Sequence, residues 1–220
     1  MNKDWSELNK LIQSQLKKKD SFNLGIDSLL ELRKQLMQQL LEMKQELCYD
    51  DFSAIPFMNA NGYHSKTIAY SLWHIFRIED IVAHSLIAND EQVFFANGYQ
   101  IRIGSSIITT GNELVGEDIA TFSRELNIDE LYQYIIDVDK ATTAILKSLT
   151  FEEIKTKITE IQKQYVESLD VVSKDENSYW LIDYWCKKDI RGLIHMPFSR
   201  HWIMHTQACM RIKNKILSIK

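Results

Sequence analysis

Between Ile128 and Leu149, side chains that can be buried recur at spacings of three and four: Ile128, Leu131, Ile135, Val138, Thr142, Ile145 and Leu149. Such a seam predicts a helix with one face packed against other helices, because these positions line one side of a 3.6-residue spiral. The same spacing recurs over residues 22–48 in Leu29, Leu32, Leu36, Leu40, Met43 and Leu47. A third run, residues 65–88, carries Ile68, Leu72, Ile75, Ile78 and Val82, widened by Trp73, Phe76 and Ile81. A helix apolar over most of its circumference is a buried one. Only two prolines, Pro56 and Pro197, and seven glycines interrupt 220 residues, so long helices are unobstructed.

The remaining segments fit around these three. Residues 3–19 (Trp5, Leu8, Ile12, Leu16) predict an extra N-terminal helix packed on the main body. Pro56 and Asn59-Ala-Asn-Gly62 break the chain before the second long helix. Residues 89–117 read as a long crossover connection with turn chemistry at Asn97-Gly98 and Thr109-Thr-Gly-Asn112. Within it, Ile101-Arg-Ile103 alternates like a short strand with no partner to pair with. Thr150 and Glu153 match a capping box, predicting another helix over residues 151–167. A short helix is expected from Tyr179, and a last one from about Pro197 to Ile216, framed at its start by Gly192 and Pro197. The expected fold is all-α: one domain over residues 1–220, a four-helix bundle with extra short helices and a long connection between its second and third helices.

A net charge of −4 argues against nonspecific nucleic-acid binding. The C-terminal cations, among them Arg200, read as a solvated basic face, with an anionic ligand near Arg200 as the sharper alternative. Three widely spaced cysteines (Cys48, Cys186, Cys209) make neither a disulfide framework nor a metal knuckle, which suits a reducing cytoplasm. The first residues lack a signal-peptide core, and no apolar run reaches membrane-spanning length.

His201 and His205 carry the chemistry. Four residues apart on a helix, two imidazoles project from one face and can reach one ion. His74, in the second long helix, can supply a third, and three neutral histidines leave coordination positions open for water or substrate. The zinc-protease reading fails, because Trp202 stands where H-E-x-x-H needs its glutamate. His84 lies about 15 Å along the helix from His74, too far to share an ion. His64 falls in a turn and His195 reads as a loop histidine. Arg77, Glu79 and Asp80 read as salt-bridging positions, and Cys209, one turn beyond His205, as a small core residue. Trp73, Trp180, Tyr184, Trp185 and Trp202 either fill the core or wall an apolar pocket beside the metal.

Leu72-Trp-His74-Ile-Phe-Arg-Ile-Glu-Asp80 and Met196-Pro-Phe-Ser-Arg-His201-Trp-Ile-Met-His205 together resemble the DinB-like (DinB/YfiT-like) superfamily over about residues 22–217. Thr110-Gly-Asn-Glu-Leu114 is similar to the middle part of one bacterial subgroup. The resemblance implies an up-down-down-up four-helix bundle and a divalent transition metal, zinc or nickel, on His74, His201 and His205. It also implies a homodimer acting on a small-molecule substrate, with transfer of a low-molecular-weight thiol as one known activity and Arg200 as a weak candidate for orienting an anionic thiol. DNA binding is not implied. A metal-dependent hydrolase and a non-catalytic, stress-related helical binding protein are the alternatives, and the segment 151–190 is placed to cover or reshape the site.

Overall fold

The computed structural model describes residues 3–57 and 65–220. Lys3–Gln15 (α1) lays Trp5 and Ile12 onto Phe22–Glu46 (α2), whose stripe of Leu29, Leu32, Leu36, Leu40 and Met43 is fully buried. Gly25 permits the close approach of the two, since a Cβ there would stand 2.9 Å from Leu16 Cδ2. The turn expected at Asn59–Gly62 lies outside the described residues.

Ile68–Asp80 (α3) starts at Thr67, whose hydroxyl accepts the Tyr70 N–H at 3.0 Å. All 13 of its residues are buried, as its apolar circumference requires. The helix expected to continue regularly to residue 88 changes pitch after Asp80. Ile81–Ala88 is π-helical, and Asn89 closes it in the left-handed region at φ 56°.

The connection holds Val93–Ala96 (α4), Tyr99–Ile103 (α5) and Glu117–Glu125 (α6). The strand-like alternation of Ile101-Arg-Ile103 is a helical turn, with Ile103 buried and Ile101 89% exposed. Three residues cannot separate a period of two from a period of 3.6. Ile128–Ser148 (α7) is capped by Asn127, which accepts the Glu130 N–H at 3.2 Å. Its seam is buried as far as Thr142 and then shifts, putting Leu146 rather than Ile145 in the core. A straight helix drifts by about 20° per heptad against a three-four repeat.

The helix expected over 151–167 is interrupted. The capping box forms, with Thr150 N–H to Glu153 Oε2 at 2.7 Å and Glu153 N–H to Thr150 Oγ1 at 3.3 Å, but it serves one short turn. The backbone then pairs with the segment before residue 190, through Ile190 N–H to Thr156 O at 3.0 Å and a bridge from Lys157 to Asp189. Helix resumes at a second box, Thr159 with Gln162, as Glu160–Ser168 (α8). Glu176–Cys186 (α9) follows as expected. Gly192 lies inside Ile190–His195 (α10), and the last helix starts beyond Pro197 as Arg200–Ser218 (α11).

The described residues are thus all-α, without strands. Among them no helix is long and apolar enough to cross a membrane. Helix α3 packs against α7 and α11, α2 against α11 and α7, and α8 against both the π-helical segment and α9. The contact between α3 and α11 positions the site.

Candidate metal centre

His74 on α3 meets His201 and His205 on α11, and one nitrogen of each lies within 4.8 Å of the others. Ring centroids stand 5.0 Å (His74–His201), 4.8 Å (His74–His205) and 4.5 Å (His201–His205) apart. All three side chains are buried. Donors at about 2.0–2.1 Å from a tetrahedral ion stand about 3.3 Å from one another, so the three nitrogens lie near the spacing that an ion needs. His201 Nδ1 is buried without a hydrogen-bond partner among the described residues, a state that costs on the order of 1–3 kcal/mol unless something ligates or bonds it. The cluster can therefore hold a metal, and an all-imidazole set suits zinc, copper, iron or nickel.

The orientation of His74 comes from the connection. Four successive carbonyls there accept side chains of α3. Ile108 takes Arg77 (Nη2, 2.8 Å), Thr109 takes Trp73 Nε1 (3.1 Å), Thr110 takes His74 Nδ1 (2.9 Å), and Gly111 takes the Tyr70 hydroxyl (3.0 Å). A carbonyl only accepts, so Nδ1 of His74 carries the proton and Nε2 keeps its lone pair for a ligand. Gly111 makes the turn possible at φ 77°, with a Cβ there standing 3.1 Å from Tyr70 Cε2. Glu113 ties the same loop to α9, accepting from the Thr109 hydroxyl and, at 3.5 Å, from Ser178 Oγ.

Burial sets the protonation. Desolvation pushes the His74 pKa down to about 4, and the Lys66 ammonium adds to the fall while the Thr110 carbonyl opposes it. His201 and His205 are held well below the ordinary imidazole value, first by burial and then by their neighbouring imidazoles. All three are neutral near pH 7, the form that binds metal.

A cavity of about 270 Å³ opens over the cluster. Helix α9 supplies one wall through Trp180, Leu181, Tyr184 and Trp185; Met196 and Pro197 close another side, and Ile78 and Asn112 complete it. Two expectations thus divide. Trp73 and Trp202 fill the core, while the α9 aromatics wall the cavity, so the segment 151–190 does cover the site.

The other candidates lie elsewhere. Arg200 is exposed and borders a different hollow, with Ser6, Asn9 and Lys10 of α1. Cys209 is fully buried, its thiol pushed up to about 12 by burial, and packs in the core. His84 meets Asp90 (Nδ1 to Oδ1, 2.6 Å). His195 ends α10 beside Ile12 and Leu16, and His64 lies outside the described residues. Glu79 and Asp80 are salt-bridged, to Arg33 at 2.7 Å and to Arg77 at 3.2 Å. Sequence reasoning missed the Thr110 carbonyl and Asn112. The turn chemistry of Thr109–Asn112 was visible, but not that its carbonyls face α3.

Protein-family models give no match to the chain, and a search of curated proteins returns none. The resemblance to DinB-like proteins rests on the two histidine motifs and on the buried cluster they form.

Proposed function

We propose that the chain is a DinB-like four-helix bundle of α2, α3, α7 and α11, in up-down-down-up order, whose His74, His201 and His205 hold one divalent ion, zinc or nickel. What carries this reading is a single observation: three buried, neutral imidazoles from two helices converge beneath an aromatic-walled cavity. Such an ion supplies Lewis acidity, lowering the pKa of a bound low-molecular-weight thiol so that it stands as thiolate, the form that attacks electrophiles. The protein's own residues do the rest. Thr110 fixes the His74 tautomer, burial keeps the imidazoles unprotonated, and the α9 wall keeps bulk water from the reacting groups.

Thiol transfer is favoured over hydrolysis by the placement of the carboxylates. Water activation gains from a carboxylate base, and Glu79 and Asp80 are both bound in salt bridges and hydrogen bonds of their own. The protein acts in this reading as a cytoplasmic homodimer on a small-molecule substrate. The test combines metal analysis of tag-free protein with conjugation assays using bacillithiol and model electrophiles. One ion per chain and acceleration over metal-free protein are expected; no acceleration ends the transferase reading, and no bound ion ends the metal centre.

A further inference from the structure

The cavity over the histidines has a chemical character that neither the three ligands nor a thiol explains. Of its 11 described lining residues none is a lysine, arginine, aspartate or glutamate. Lys66, the cation that acts on His74, sits over the Tyr70 ring at 5.0 Å and does not line the cavity. In the metal-free protein a carboxylate or phosphate entering here loses water and meets no cationic side chain among these lining residues, which is strongly unfavourable. The surfaces on offer are flat and polarisable. Trp180 and Tyr184 meet edge to face at 5.6 Å on α9, with Trp185 buried beside them.

One directional group stands among them. The Thr110 hydroxyl donates to Asn112 Oδ1 at 2.8 Å. In this arrangement Thr110 takes the oxygen end of the amide, and the Asn112 N–H donors are left without a hydrogen bond among the described residues. The loop bearing Asn112 is held to α3 by its successive carbonyls and to α9 through Glu113, so the donor is preorganised.

We propose that this cavity binds an uncharged aromatic carbonyl compound, its ring against Trp180 and Tyr184 and its oxygen held by the Asn112 amide. Its role as the electrophile of thiol transfer rests on the function proposed above; its binding does not.

Calorimetric titration of the full chain near neutral pH, freed of metal by chelation, tests this with three probes of similar shape: 2-acetonaphthone, 2-naphthoate and 2-ethylnaphthalene. The ketone is expected to bind at least about ten-fold tighter than the carboxylate. Asn112→Ala should weaken the ketone about five-fold and leave the hydrocarbon unchanged; a merely structural role for Asn112 would weaken both. Trp180→Ala, at a half-exposed position that the fold tolerates, should weaken ketone and hydrocarbon alike. Equal or tighter binding of the carboxylate, or a ketone affinity insensitive to Asn112→Ala, overturns the proposal. Metal content is measured separately on the same preparations. Ketone binding without any uptake of zinc or nickel retires the metal reading alone, whereas metal uptake without ketone binding retires this one alone.

Discussion

Helices α3 and α11 carry two buried polar clusters that treat the same low-dielectric surroundings in opposite ways. In the first, Glu79 accepts a forked pair from Arg33 (2.9 and 2.7 Å) and the Trp202 indole N–H (2.6 Å), while Arg33 also reaches Asp139 at 2.6 Å and lies 4.3 Å over the Trp202 ring. Burial opposes both charges. It raises the Glu79 pKa, and it works against Arg33 until Glu79 and Asp139 carry that group above its ordinary value. In the second cluster, beside Glu79 and Trp202 in sequence, three imidazoles converge with no carboxylate among them, and His201 Nδ1 has no partner among the described residues. One cluster answers its charges from within, although Arg33 Nε has no hydrogen-bond partner among the described residues. The other could hold a metal ion. Burial alone therefore does not distinguish the two; the first meets its charges with opposite charges of its own, whereas the second offers imidazole nitrogens with no charge to answer them.

The comparison is broken most severely at Arg33. Arg33→Ala strands the Glu79 carboxylate, and a loss of about 3–5 kcal/mol in urea unfolding is expected; a loss below about 1 kcal/mol would mean that the ion pairs do not hold this cluster together. His201→Ala should do the reverse. Metal affinity in a zinc titration is expected to fall by more than the roughly 10–100-fold typical of outer-shell changes, while metal-free stability moves by no more than about 1–2 kcal/mol. Full zinc stoichiometry in that variant would contradict the three-histidine centre.

A pH series sharpens the contrast. Folded His74 stays neutral down to about 4, whereas in the unfolded chain it takes a proton near 6.5. Between those values the unfolded chain binds more protons, so metal-free stability is full above that window and declines as pH falls through it. The contribution is on the order of 3 kcal/mol from His74, read as a falling urea midpoint. His201→Ala should flatten the decline but not abolish it. A smaller effect is expected at Gly111→Ala, where a side chain at φ 77° costs about 1–2 kcal/mol. Disturbance of the loop should weaken metal binding as well, because the preceding carbonyl, that of Thr110, orients His74. Unchanged zinc affinity would separate the loop from the site.

Much of this was legible in the sequence. The stripes of α2, α3 and α7 follow from periodicity and the His201–His205 pair from spacing on one helix face, while His74 joined them through the resemblance of its motif. Features that depend on distant partners were not. Glu79 finds Arg33 46 positions away and Trp202 123 positions away, and no local pattern encodes either pairing. The capping box at Thr150 was read correctly as a box but wrongly as the start of a long helix, because a backbone pairing with the segment before residue 190 competes for the same residues. The π-helical segment and α10 were equally hidden, since a change in hydrogen-bond register leaves no mark on composition.

The partner of His74 Nδ1 is a main-chain oxygen rather than a side chain. No substitution at position 110 short of moving the backbone can delete it, so the tautomer is insulated from point mutation there. The Thr110 hydroxyl, by contrast, is open to change, and with it the grip on Asn112. One residue thus separates what must stay constant from what is free to vary: related chains could retune what enters the cavity while keeping the imidazole beneath it in the same state.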